Sequence, residues 1–300
     1  MQGNLSSFDW GRPEWRQITP LILLLVSSIL LLSARLSRGR LHIPGYLRYL
    51  WAFLLVFAVA DFVSFTPAVW LLAFISFRAL REYFSLVDLR LEDRLGVMGA
   101  YVAIPFMIFL VQIDWYGFFI VSIPVYAFIV IPYLVTVFDE DGRGSLLSIG
   151  MIDFGLFFFV YCLGHLAYLA YYSTWLALLL LLSVTLCKLV STCCTSRGRL
   201  VGFLLGLPAV VGLSLLLQPW TDVPLVPAVF VGVLIPVLVQ MGERTITAIE
   251  RDLGIDAGNL EPGRGRVLDA LATYLFAAPI VFHYLRWIMK FGESVTGHGA

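Results

Sequence analysis

MGERTITAIERDLGIDAGNLEPGRGRVLDALATYLFAAPIVFHYLRW, residues 241–287, is the longest polar run after residue 100, and it leads from the end of one apolar segment directly into another. It gathers Glu243, Arg244, Glu250, Arg251, Asp252, Asp256, Glu261, Arg264, Arg266 and Asp269, with Gly254, Gly258, Gly263 and Gly265 among them. Carboxylate oxygens suit Mg2+, guanidinium forks suit phosphate oxygens, and glycines let the backbone approach a polyphosphate closely. Residue types alone fit an ordinary charged loop between two membrane spans equally well. The order of the residues has to decide.

Outward from this run the chain is apolar. Of 300 residues 60% are hydrophobic and 13% charged, against about 25% charged in soluble domains. A soluble globule is excluded, and the expected fold is an all-α polytopic membrane protein. Runs long enough for a ~30 Å hydrocarbon core fall at 18–34, 97–113, 116–138, 150–171, 174–191, 199–217, 224–241 and 271–290. The apolar stretch 49–80 is broken at Thr66-Pro67 and reads as two short spans in a hairpin, because a residue before proline avoids helix. The count is about ten spans, or nine if an end span is misjudged, in one membrane domain over 1–300 with a loop at 242–271.

Arg and Lys are placed unevenly. Sixteen of the twenty cations lie in alternate connections, and those near residues 66, 114, 172 and 220 have none. By the positive-inside rule the rich side is cytoplasmic, the 242–271 loop included, and both termini face outward. Arg12, Arg16, Arg286 and Lys290 run against that placement of the ends. The polar N-terminus has no signal-peptide pattern and is expected to stay on the protein. Cys162, Cys187, Cys193 and Cys194 read as thiols rather than disulfides, and nothing in the charge pattern points to nucleic acid.

Asp61 and Asp153 lie in or near apolar spans, where ionisable groups are costly and often functional; a structural or interfacial role is the reading adopted for both. His165 is expected to hydrogen-bond between helices and His283 to pack. Residues 77–94 read as a solvated surface helix with internal ion pairs. Most tryptophans sit near span ends, as in an interfacial belt.

Five short patterns inside the opening run carry a resemblance. They are Gly242-Glu243, Thr247-x-x-Glu250-Arg251, Ile255-Asp256-x-Gly258, Pro262-Gly263-Arg264-Gly265-Arg266 and Asp269-Ala270-x-Ala272-Thr273. Their order resembles the C-terminal signature of the phosphatidate cytidylyltransferases (CDP-diacylglycerol synthases): Gly-Asp, Ser-x-x-Lys-Arg, Lys-Asp-x-Gly, Pro-Gly-His-Gly-Gly and Asp-Arg-x-Asp-Ser. Phe276-Ala277-Ala278-Pro279 and Phe282-His283-Tyr284 are similar to that family's last helix, and Ala73 to Tyr83 to a segment nearer its N-terminus. This chain reads as a divergent member. Arg264 stands for the signature His, Arg266 for a Gly, Ala270 for an Arg, Ala272 for an Asp and Glu250 for a Lys. A second family block, with an Asn-Asp pair and a Ser-Pro-x-Lys-Thr-x-Glu-Gly run, is reduced to Cys187-Lys188 and 196–202.

The resemblance implies transfer of CMP from CTP to phosphatidic acid or a related lipid phosphate, in phospholipid biosynthesis. Carried over residue by residue, Asp256 and Asp269 are the catalytic carboxylates. Glu243, Asp256 and Asp269 are the Mg2+ ligands, and Arg251, Arg264, Arg266, Gly263 and Gly265 bind substrate. The partners implied are CTP, the lipid phosphate and membrane lipids, with a homodimer left open, and a bacterial inner membrane suits family and topology. Two other readings stay open: a catalytically impaired relative that binds lipid or nucleotide or supports a partner lipid enzyme, and a transporter using the proline-broken helix near Asp61.

Overall fold

A backbone inside hydrocarbon must satisfy its own hydrogen bonds, which leaves helices or closed barrels. The computed structural model describes residues 24–25, 27–28, 45–139, 142–194, 198–254 and 266–290, with backbone alone at 45, 199, 266–270 and 272. Among these residues every regular element is helical. Five helical stretches are long and apolar enough to cross a membrane: Leu91–Gln112, Tyr116–Thr136, Ser145–Tyr172, Thr174–Cys193 and Leu225–Asp252. The chain is therefore an integral membrane protein.

Helix α1 (Gly45–Phe62) and α2 (Phe65–Phe84) form the expected hairpin, but the break falls at Val63-Ser64 and not at Thr66-Pro67. Ser64 is extended and α2 restarts at Phe65, so Pro67 lies in the first helical turn. A missing N–H has no intrahelical partner to lose there. The two helices have 18 and 20 residues rather than being short spans. The surface helix expected over 77–94 is different too: α2 runs on to Phe84, and a 3-10 turn, Leu91–Asp93, then leads into α3 (Arg94–Gln112). The ion pair expected there is present, Arg90 to Asp93 at 2.8 Å.

Helix α4 (Tyr116–Thr136) contains a π-helical turn at Ser122–Ala127, and α5 (Ser145–Tyr172) another at Phe157–Tyr161. Pro124, which has no N–H to donate, sits in the first of them. Then come α6 (Thr174–Cys193), α7 (Arg199–Leu216), α8 (Leu225–Asp252) and α9 (Arg266–Met289). The stretch expected as a loop over 242–271 is helical at both ends. Ile246 and Glu250 continue the buried face of α8, and no proline or glycine follows Gly242 until Gly254.

Lipid gives helices no hydrophobic reason to associate, so close packing has to hold them together. α6 packs against α7, α8 and α9, and α9 against α5. Glycines set the closest approaches: a Cβ on Gly232 would lie 2.6 Å from the Cα of Val211, where α8 crosses α7. Residues 158–170 of α5 and most of α6 are buried, and they form the centre.

The connections sort to two ends. At one, the Arg90 guanidinium donates to Asp93 (2.8 Å), to Asp139 (2.9 Å) and to the carbonyl of Arg143 (2.6 Å), while Ser148 donates to Asp93 at 2.6 Å. This staple ties the start of α3 to the turn between α4 and α5. Hydrogen bonds from the Ser145 hydroxyl, the Gly142 N–H and Arg90 hold the Asp139 carboxyl down at about 2, and Asp93 with Asp139 raises the Arg90 guanidinium above its ordinary value. At the other end Thr174 donates to Asp61 at 2.7 Å, Arg286 donates to the Tyr172 hydroxyl at 2.6 Å, and Trp175 meets Trp220 at 5.9 Å.

Candidate functional site

The end that carries the Arg90 staple also holds the close of α6, the close of α8 and the start of α9. On α8, Gln240, Glu243, Arg244, Thr247 and Arg251 recur at intervals of three and four, which puts them on one helical face. With Lys188 and Ser191 of α6 and Thr273 of α9 they line a cavity of about 300 Å³. Arg244 and Arg251 are exposed, Glu243 is half-buried and Lys188 is buried. Beneath, Tyr274 of α9 hydrogen-bonds Thr185 of α6 at 2.8 Å and donates to the Tyr46 carbonyl of α1 at 3.3 Å. Gly242 brings α9 in: a Cβ there would lie 3.1 Å from the Cβ of Phe276.

A second, open groove of about 530 Å³ runs between α7 and α8. Its lining of Leu200, Phe203, Val237 and Met241 is apolar, and it shares Gln240 and Arg244 with the first cavity. Leu200 is 70% exposed and Met241 51%. A cationic, hydrogen-bonding chamber thus opens beside an apolar surface, with one arginine common to both. A phosphate on an acyl chain has this two-part character.

The predicted site residues divide. Glu243 and Arg251 are brought together on the cavity wall, two helical turns apart. Arg266 opens α9, and Asp269 lies one turn before Thr273, both as backbone only. Asp256, Gly263, Arg264 and Gly265 lie outside the described residues. Among the described residues no three His, Cys, Asp or Glu side chains group as a metal site, and Glu243 is the one predicted Mg2+ ligand whose side chain is described. Sequence reasoning missed Lys188, Gln240 and Thr273 as lining. A lysine in an otherwise apolar span was the available signal for Lys188.

The lone polar groups take structural places. Asp61 accepts from Thr174, as an interfacial role requires. Asp153 is 6% exposed, and among the described residues its Oδ2 has no hydrogen-bond partner. Among the described residues His165 hydrogen-bonds within its own helix and not between helices: its Nδ1 is 2.8 Å from the carbonyl of Tyr161, one turn back. His283 does more than pack, with Nδ1 3.1 Å from the Tyr116 hydroxyl.

The sequence model of the Cytidylyltransferase family matches residues 196–288. Those residues are α7, α8 and α9, which supply the whole groove and all of the polar cavity except Lys188 and Ser191. This part of the chain is cytidylyltransferase-like. Across a longer stretch, the chain is 29% identical over 237 residues to Uncharacterized protein YnbB of Escherichia coli (strain K12), covering 72% of this chain and 78% of that one. It is 32% identical over 80 residues to the Phosphatidate cytidylyltransferase of Synechocystis sp., about a quarter of each chain at 26%. Residues 196–288 are thus similar to the cytidylyltransferases, as the motif order predicts, and that similarity supports nucleotidyl transfer as a general chemistry.

Proposed function

We propose that this cytidylyltransferase-like chain transfers CMP from CTP to phosphatidic acid or a related lipid phosphate. An oxygen of the lipid phosphate attacks the α-phosphorus of CTP, the bond from that phosphorus to the bridging oxygen of the β-phosphate breaks, and pyrophosphate leaves. The product is a CDP-lipid. The observation that carries the reading is the shared wall at Arg244 and Gln240: the groove suits the acyl chain of a lipid whose phosphate reaches the cationic cavity. Such a transfer depends on positioning and charge neutralisation more than on covalent chemistry, and in this reading Arg244 and Arg251 would grip phosphate oxygens.

Mg2+ belongs to this reading, with Glu243, Asp256 and Asp269 as its ligands; when bound, it neutralises charge on the phosphates. Gly263 and Gly265 would allow close backbone approach, and Arg264 and Arg266 would add phosphate contacts. The same reading takes the full count of about ten spans, a single domain, and the arginine-rich end in the cytoplasm of a bacterium, where CTP is available. A homodimer is compatible with it.

One observation favours a second reading, a relative that binds these ligands without turnover. Glu250, at the position of a family lysine, is 5% exposed and absent from the cavity wall. The deciding experiment gives the purified protein, in mixed detergent and lipid, labelled CTP, Mg2+ and phosphatidic acid, beside Asp269→Ala and Arg244→Ala. The expected result is a labelled CDP-lipid, lost with the first variant and reduced roughly 100-fold or more with the second, as for removal of a positioned donor. Folded protein that binds CTP yet makes no product from several lipid phosphates establishes the second reading instead.

A further inference from the structure

Twenty residues of α6 include one charge, Lys188. An ammonium in such a helix is costly unless it faces the bundle interior or a watery cavity. Lys188 is 7% exposed and lines the polar cavity, with Ser191 one turn further on. Its Nζ lies 5.6 Å from the centre of the Tyr46 ring, so α1 backs the ammonium with an aromatic face. Among the described residues the cavity wall carries Lys188, Arg244 and Arg251 against the one carboxylate of Glu243. That excess of positive charge complements a polyanion. Arg244 and Arg251 are exposed at the rim, so that among the described residues Lys188 is the cation of the buried wall.

The residue type adds to this. The chain has eighteen arginines and two lysines, Lys188 and Lys290. A guanidinium needs space for a planar fork, whereas an ammonium is a compact point charge with three donors and fits a confined floor. Lys188 also falls outside the family-matched residues 196–288.

We propose that Lys188 is the buried anchor of a phosphate group: its ammonium donates to phosphate oxygens in this cavity and sets how deep the ligand enters. The inference rests on reading the cavity as a phosphate site. The phosphate has two possible sources, the polyphosphate of CTP or the head of a lipid phosphate.

With only two lysines, footprinting is direct. Detergent-solubilised wild-type protein is acylated with a small amine reagent alone, then with inorganic pyrophosphate, with CTP, or with mixed micelles containing phosphatidic acid, and Lys290 serves as reference. Ligand should protect Lys188 severalfold and leave Lys290 unchanged. In parallel Lys188→Met, which keeps most of the aliphatic stem, should hold its ligand-free unfolding midpoint yet lose roughly 10- to 100-fold in affinity, the range for a charged hydrogen bond. The wild-type footprint decides if that variant does not fold, and the variant decides if Lys188 resists the reagent throughout.

Protection by CTP alone assigns the anchor to the polyphosphate, and protection by phosphatidic acid alone assigns it to the lipid. Protection by pyrophosphate without binding of CTP or lipid keeps the anchor and sinks the cytidylyltransferase reading. Turnover with no protection and an unchanged Met variant overturns the anchor and keeps that reading. Wild-type protein that binds none of the three probes overturns both.

Discussion

Asp139 is a carboxylate whose surroundings make a measurable demand on pH. Ser145, Gly142 and Arg90 hold its folded value down at about 2, below the ~3.9 of an unfolded aspartate. A depressed acid contributes stability that is complete above its unfolded value and is lost as pH falls through its folded one. The thermal midpoint should therefore fall between about pH 4 and about pH 2, and Asp139→Asn should remove that part of the profile. Unchanged steepness in the variant would mean that another acid governs the window. At this scale the sequence was half legible. Glu243 and Arg251 stood out because their spacing follows a linear motif, and the structure sets both on one cavity wall. Lys188 and Thr273 lie 85 residues apart in the chain, and the packing of α6 against α9 alone makes them neighbours.

Helices were more legible than their breaks. Apolar length located α3 to α9 because a membrane span leaves a long, nearly charge-free run. The break between α1 and α2 was placed three residues late because proline is a cue for a boundary and does not say on which side the boundary falls. The polar half of α8 was hidden for a related reason: charge was read as loop, yet Ile246 and Glu250 keep a buried face going at helical spacing. The crossing of α8 over α7 provides a test. With 2.6 Å between a Cβ on Gly232 and the Cα of Val211, the clash is with backbone and cannot be relieved by a rotamer. Gly232→Ala should cost about 1–3 kcal/mol by overpacking, whereas Gly212→Ala on α7, with none of the described residues within 4 Å, should be neutral or better. Equal unfolding midpoints in lipid micelles would show that α7 does not approach this closely.

Over the whole molecule, the two-ended arrangement makes a topological claim. Cys193 is the exposed thiol among four and lies at the end with the Arg90 staple; Val63, 69% exposed, is at the other. A membrane-impermeant maleimide should reach Cys193 from one face of sealed vesicles and Val63→Cys, in a Cys193→Ser background, from the opposite face. Labelling of both from one face would refute the alternation of helices. The side on which cations gather was readable from sequence because charge is costly to translocate. Which helices meet around the cavity was not, since lipid-facing and protein-facing apolar residues look alike.

The 28 residues of α8 make a rod about 42 Å long, well beyond a ~30 Å hydrocarbon layer. Its apolar part ends near Met241, and its cavity-lining part starts there. Arg244 is fixed at a set height on that rod, so a thicker or thinner bilayer must tilt α8 or lift the arginine away from the plane of the lipid phosphates. In bilayers of graded acyl length, product formation should pass through a maximum, and a flat profile would mean that the rod adjusts freely. Membrane thickness would then act on this protein as a rate variable, setting how often a headgroup and its arginine stand at the same depth.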